Sequence, residues 1–145
     1  MGRNDVIVGM GSNIDPLSNL EKALRVIEKK FPGLAASGFV ETAPLGFKDQ
    51  AHFYNGALRF KTEMDRVALK SWLLTIEKDF GRIRTANKNG PRTLDLDLLV
   101  WNGKIVDKDV PERDFLQNAI EVLWPGLIEG QGKNIKHRDP LETSR

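Results

Sequence analysis

Cysteine is absent from the 145 residues. This excludes disulfides, a thiolate nucleophile and any cysteine-ligated metal site, and it fits a reducing compartment. Histidine is nearly as scarce. His52 reads as a loop residue and His137 as part of a polar tail, so neither offers a serine a catalytic base. No run of about 18 apolar residues occurs, so no spanning helix is predicted. The N-terminal "MGRNDVIVGMGSN" has too short an apolar stretch for a secretory leader and lacks its small-residue cleavage pattern. The expectation is a cytoplasmic protein away from membranes. A surplus of one charge is missing too: 22 Lys and Arg face 20 Asp and Glu, too even a balance to imply a nucleic-acid partner. With 40% hydrophobic residues, what remains is enough for one domain with a real core.

Read along the chain, "DVIVGM" is a short apolar strand, and the glycines of "GMGSN" read as a tight turn from strand to helix. They lack the Lys-Ser/Thr ending of a phosphate-binding P-loop. "DPLSNLEKALRVIEKKF" is predicted helical, with Asp15 as cap, Pro16 in the first turn, and Leu17, Leu20, Leu24 and Ile27 on one face. "GFVETA" reads as a second strand leading into the turn-rich "PLGFKDQAH". "FYNGALRFKT" is a third, with Tyr54, Gly56, Leu58 and Phe60 on one face and Phe53, Asn55, Ala57 and Arg59 on the other. "DRVALKSWLLTIEKDFG" is the clearest helix: Asp65 caps it, Leu69, Trp72, Leu73, Ile76 and Phe80 form its stripe, and Gly81 ends it. After a fourth strand, Asn102-Gly103 signals a hairpin into "KIVD", and "RDFLQNAIEVLW" is a short helix stopped at Pro125. The order predicts an α+β, ferredoxin-like β-α-β-β-α-β sheet with packed helices, an extra hairpin and a C-terminal helix. A single domain over residues 1–128 is expected, followed by a polar, mobile tail over 129–145.

The fourth strand carries the chemistry. In "NGPRTLDLDLLVWNGK" two carboxylates interrupt an apolar run, although aspartate is depleted from strands. Alternation puts Asp95 and Asp97 on one face and Leu94, Leu96 and Leu98 on the other. Two carboxylates some ~6–7 Å apart form a hard-oxygen site suited to Mg²⁺. A solvated strand face that happens to carry aspartates would look the same, so the surroundings matter. From Lys78 to Arg92 stand Lys78, Arg82, Arg84, Lys88 and Arg92 against the single acid Asp79, in a stretch from Gly81 to Pro91 that reads as a flexible loop. Such a run also serves solubility. Beside a carboxylate pair, however, a basic loop suits a Mg²⁺–polyphosphate substrate: oxygens for the metal and guanidinium groups for the phosphates.

"GPRTLDLDLL" resembles the signature of the 6-hydroxymethyl-7,8-dihydropterin pyrophosphokinases of folate biosynthesis. "GSN", "ETAPLG", "FYNGAL", "IEKDFGRIR" and "LWP" extend the likeness over roughly residues 6 to 127. The resemblance implies pyrophosphoryl transfer from ATP to the pterin's hydroxymethyl oxygen, two Mg²⁺ ions, and a loop that closes over the substrates. It places Asp95 and Asp97 on the metal and makes Arg82 and Arg92 catalytic together with them. It assigns Glu77, Arg82, Arg84, Arg92 and Leu98 to ATP, and Thr42, Ala43, Leu45, Phe53, Asn55 and Asp95 to the pterin. The residues themselves support one pair of these, since Phe53 and Asn55 share a strand face, giving a ring to stack and an amide to read a heterocycle edge. ATP and a pterin alcohol are the expected partners of a monomer, without nucleic acid or membrane.

The pattern departs near the C-terminus. Glu112, Asn118 and Ile120 stand where the family usually has a histidine, an arginine and an aromatic, Asn89 where some members have tryptophan, and Leu74 where some have glutamine. Two other readings therefore stay open: a divergent paralogue on the same scaffold, and a non-catalytic ferredoxin-like module binding RNA or protein. The second would call for exposed aromatics paired on the sheet face, which "FYNGALRF" does not offer.

Overall fold

Every strand contact runs antiparallel, and the longest strand lies inside the sheet. In the computed structural model, which describes residues 3–42, 52–81 and 93–134 (the last three as backbone only), the order is β1 (Asn4–Ser12), α1 (Pro16–Lys30), β2 (Ala35–Ala36), β3 (Val40–Thr42), β4 (Phe53–Thr62), α2 (Arg66–Asp79), β5 (Asp95–Trp101), β6 (Lys104–Ile105), a 3-10 turn at Val110–Glu112, α3 (Asp114–Leu123) and α4 (Leu127–Asn134). The sheet runs β2-β4-β1-β5-β6, with β3 also pairing β4. With β2 and β3 sharing one position, this is the strand order that the β-α-β-β-α-β plan requires.

Two cores form because the sheet is covered unequally. On one face Val6, Val8, Met10, Leu58, Phe60, Leu94, Leu96 and Leu98 pack against Leu20, Ala23 and Ile27 of α1 and Leu69, Leu73 and Ile76 of α2. On the other, Ile7, Ala57, Leu99 and Val100 pack against Ile120 and Leu123 of α3 and Leu127 of α4. The second cover is partial. It reaches Ile7 and Ala57, and the far ends of β1, β4 and β5 continue past it. A bulge in β5 manages the change: Val8 pairs Leu98 and Ile7 pairs Val100, leaving Leu99 as the extra residue. Leu99 and Val100 therefore both point to the α3 side, although they are consecutive.

The hairpin forms as predicted, with Asn102 and Gly103 both at positive φ (51° and 85°), the twist a two-residue turn needs. Asp65 caps α2, accepting from the Ala68 N–H at 2.8 Å. Several expectations are corrected. Asp15 makes no side-chain cap; it is itself left-handed (φ 44°), and the Asn19 amide donates instead to the Ile14 carbonyl at 2.6 Å. Leu17 is exposed, and Ala23 takes its place in the buried stripe of α1. "GFVETA" holds a shorter strand than expected, β3 at Val40–Thr42, with the separate β2 before it and Ala43 outside the described residues. Gly38 sits at φ 88° between β2 and β3, and its carbonyl and the Phe39 ring cross β4 at Gly56, where an added Cβ would collide with both. The polar tail expected from 129 begins as helix α4. Its Gln131 donates to the Gly103 carbonyl at 2.7 Å and accepts from the Ile105 N–H, tying the helix to the hairpin. The basic stretch read as a flexible loop from Gly81 lies, beyond Gly81 itself, outside the described residues, as do residues 135–145.

Arg59 fastens α3 to the covered end of the sheet. It donates to both Asp5 carboxylate oxygens (3.0 and 2.9 Å) and to the Leu123 carbonyl (2.8 Å), and its guanidinium lies 3.7 Å above the Trp124 ring. Removing it strips a two-pronged charged pair of its cation and leaves the carboxylate partly buried. Arg59→Ala should lower unfolding free energy by about 1.5–3 kcal/mol in urea titration, and Arg59→Lys should recover only part, because an ammonium cannot bridge both oxygens. A loss below about 0.5 kcal/mol would show the fastening to be idle.

Candidate active site

The end of the second face that α3 and α4 do not reach gathers several of the residues singled out above. Cross-strand register sets them in rows: Val40 opposite Asn55, Asn55 opposite Gly11, Gly11 opposite Asp95, and beyond it Ala57, Gly9 and Asp97. Thr42 lies opposite Phe53 in the same patch. Asn55 and Asp95 are thus separated by a single strand, and that strand has no side chain between them. Asp95 is half-buried and Asp97 exposed.

Gly9 and Gly11, read from sequence as a turn, lie inside β1, and the reason is across the sheet. A Cβ on Gly9 would come within 3.0 Å of Leu99 Cδ1, and one on Gly11 within 2.6 Å of Asn55 Oδ1. Leu99 closes the covered half over Gly9. The Asn55 amide oxygen lies where a side chain on Gly11 would stand, and its Nδ2 donates to Thr42 Oγ1 at 2.7 Å. Thr42 therefore orients Asn55, which leaves the amide oxygen near the middle strand. A glycine within a strand is itself the signal for such a close approach, and spacing of two puts both on one face. Ser12 and Asn13 continue this end as buried polar residues, the Ser12 hydroxyl donating to the Ile14 carbonyl at 3.1 Å.

Not every predicted residue joins this patch. Glu77 is buried under the opposite face, where its Oε2 accepts from the Leu96 N–H at 2.7 Å and occupies the outer edge of β5. The Leu98 side chain belongs to the core shared with α1 and α2, so it does not line the aspartate face. By strand alternation its main-chain groups point to the same edge as those of Leu96. Ile120 is fully buried in the second core, and Asn118 and Glu112 are exposed. His52 is exposed and pairs with Glu41 at 3.0 Å. Ala43, Leu45, Arg82, Arg84, Asn89 and Arg92 lie outside the described residues.

One neighbour was not legible in the sequence. After β6 the Val106 N–H still donates to the Leu99 carbonyl at 2.9 Å, so the chain runs back along β5 and brings Asp107 towards Asp95. Burial pushes the Asp107 carboxyl up from its ordinary range. The charges of Asp109 and Asp95 add to this, and the hydrogen bond from the Asp109 N–H opposes it.

The donor set fits Mg²⁺. Asp95 and Asp97 offer hard carboxylate oxygens on one face, and among the described residues no group of three or more His, Asp or Glu side chains forms a closed cage. An incomplete set suits a cation that takes its other ligands from water and phosphate. Carboxylates set in this way on a ferredoxin-like sheet suit transfer governed by charge and position, the mode of transferases of the phosphoryl-transfer type.

Comparison with known proteins agrees. The family model for 7,8-dihydro-6-hydroxymethylpterin-pyrophosphokinase matches residues 7–125. The chain is 37% identical over 128 residues to the 2-amino-4-hydroxy-6-hydroxymethyldihydropteridine pyrophosphokinase of Campylobacter jejuni, covering 84% of this chain and 81% of that one. It is 32% identical over 124 residues to the enzyme of the same name from Haemophilus influenzae (81% and 76%). It is also 32% identical over 136 residues to a folic acid synthesis protein of Dictyostelium discoideum, covering 88% of this chain but only 20% of that much longer protein. The chain belongs to the 7,8-dihydro-6-hydroxymethylpterin-pyrophosphokinase family, transferases that pass pyrophosphate from ATP to a hydroxymethyl pterin in folate synthesis. Among the described residues no helix is long and apolar enough to cross a membrane.

Proposed function

We propose that this chain transfers the β,γ-pyrophosphoryl group of ATP to the hydroxymethyl oxygen of 6-hydroxymethyl-7,8-dihydropterin. The hydroxymethyl oxygen forms a bond to the β-phosphorus, the bond from that phosphorus to the α,β-bridging oxygen breaks, AMP leaves, and the hydroxyl proton passes to solvent. The observation that carries this reading is the row from Asn55 across Gly11 to Asp95, which sets a heterocycle-reading amide one strand away from a carboxylate pair. Phe53 would stack on the pterin and Asn55, steadied by Thr42, would read its edge. Ala43 and Leu45 would complete that pocket. Asp95 and Asp97 would hold two Mg²⁺ ions, whose chemistry is to neutralise and align the phosphates. Arg82 and Arg92 would pair with phosphate oxygens, with Arg84 beside them. Leu98 would meet the nucleotide through its main chain, and Glu77 would act by holding the edge of β5 there. A cytoplasmic monomer without nucleic-acid or membrane partners is part of the proposal.

Incubation with ATP, Mg²⁺ and the pterin alcohol, followed by nucleotide analysis, tests it. AMP in step with pterin pyrophosphate is the expected result. ADP would indicate an ordinary kinase, and no turnover would favour the divergent paralogue, for which the exposed Glu112 and the core-bound Ile120 already speak.

Asn118 offers a graded check on the nucleotide side. It is exposed on α3, where relatives by resemblance carry an arginine. Asn118→Arg should tighten binding of a non-hydrolysable ATP analogue by roughly 3- to 10-fold, less than a buried charged bond would give because solvent screens it. Added salt should shrink the gain. Unchanged or weaker binding by calorimetry would place Asn118 away from the phosphates.

A further inference from the structure

We propose that the Thr93 hydroxyl is a further phosphate-contacting group, taking as its hydrogen-bond acceptor an anionic oxygen of the bound Mg²⁺–nucleotide; this rests on the pyrophosphokinase reading. Thr93 stands where the chain enters β5, two residues before Asp95. Its Oγ1 is shielded from solvent and has no hydrogen-bond partner among the described residues, where it is the one buried side-chain nitrogen or oxygen in that condition. A buried hydroxyl without a partner is costly, and native proteins keep few of them. Valine has nearly the same shape and would avoid the cost, so packing alone gives no reason for a hydroxyl here.

Its place follows from its neighbours. Leu94 is fully buried in the core shared with α1 and α2. Thr93 stands in the bend just before it, two residues from Asp95, where β5 begins. On the adjoining strand end, the Ser12 hydroxyl already donates to the Ile14 carbonyl and so has no proton left to give. A hydroxyl has one proton to donate, and a face built from carboxylates and glycine is suited to receive a ligand rich in anionic oxygens held by a cation. A phosphate chain seated before Asp95 would bring such an oxygen within reach of Thr93, and the orphaned proton would then be used only in the loaded site.

The test compares Thr93→Val, which keeps the shape, with Thr93→Ser, which keeps the hydroxyl. Calorimetry with Mg²⁺ plus a non-hydrolysable ATP analogue should show roughly 5- to 10-fold weaker binding for Thr93→Val, the loss of one hydrogen bond of ordinary strength. Thr93→Ser should stay within about twofold of wild type. The ligand-free Thr93→Val protein should unfold at the wild-type temperature or above it, since an unpartnered hydroxyl has been removed. Unchanged affinity in Thr93→Val would overturn the proposal, and so would a lower unfolding temperature, which would show that the hydroxyl's partner is the protein itself. An equal loss of affinity for Mg²⁺ alone would also overturn it, placing the hydroxyl on the metal. Neither readout needs turnover, so a wild-type protein that binds the analogue but forms no AMP fails the pyrophosphokinase reading alone. A wild-type protein that does not bind the analogue overturns both.

Discussion

Asp95→Ala and Asp97→Ala should each lower turnover by at least ~10²-fold while leaving the unfolding midpoint close to that of the wild type. The size follows from the reaction proposed: the protein has little covalent work to do, so removing one main stabiliser of phosphate charge removes most of the catalysis that depends on it. The selectivity follows from the fold. Leu94, Leu96 and Leu98 carry the packing of β5 on the opposite face, whereas Asp97 is exposed and Asp95 only half-buried on the open one. Steady-state rates over a Mg²⁺ titration, with thermal unfolding in parallel, decide the matter. Near-normal turnover of either variant at ordinary Mg²⁺ would remove the carboxylate pair from the mechanism. Loss of folding instead of activity would make the aspartates structural.

Gly11→Val should lower kcat/KM for the pterin by roughly 30- to 100-fold with little change in nucleotide affinity. A Cβ at position 11 would come within 2.6 Å of Asn55 Oδ1. What it meets is the free end of a side chain rather than backbone, so the sheet survives and the amide moves. Moving it breaks the 2.7 Å bond to Thr42 Oγ1 and aims the amide away from any ring lying on the patch. Two lost hydrogen bonds at about 1 kcal/mol each, with the obstruction itself, give the range stated. Asn55→Ala should produce a similar defect, and the double variant should be little worse than either single one, because both act through the same amide. Additive losses would show that Gly11 serves something other than Asn55.

Much of the arrangement of this patch is legible in the sequence. The LDLDLL alternation divides β5 into a core face and an acid face, the Asn-Gly pair marks the hairpin, and the period of β4 puts Phe53 and Asn55 together. Each depends only on residues near one another in the chain. What the sequence hid depends on distant partners. Gly9 and Gly11 look like a turn until Leu99 and Asn55 are seen to lie over them. Helix α4 is too polar to announce itself, since what holds it is Leu127 in the core and Gln131 on the hairpin. The approach of Asp107 to Asp95 follows from pairing that continues beyond β6, and no local pattern encodes it. Ile120 matched a ligand-facing place by alignment and fills core instead.

The bulge at Leu99 gives β5 something like a reading frame. Upstream of it, odd-numbered positions face the open patch; downstream, Val100 faces the same side and Trp101 the opposite one. One residue is therefore spare in the count. Deleting Leu99 would close the bulge, and plain alternation would still leave both carboxylates on the open patch, Val100 towards α3 and Trp101 on the opposite side. What would go is the side chain that lies over Gly9. Such a deletion should leave the carboxylate pair in phase with the turn and be felt in the packing around Gly9 and α3.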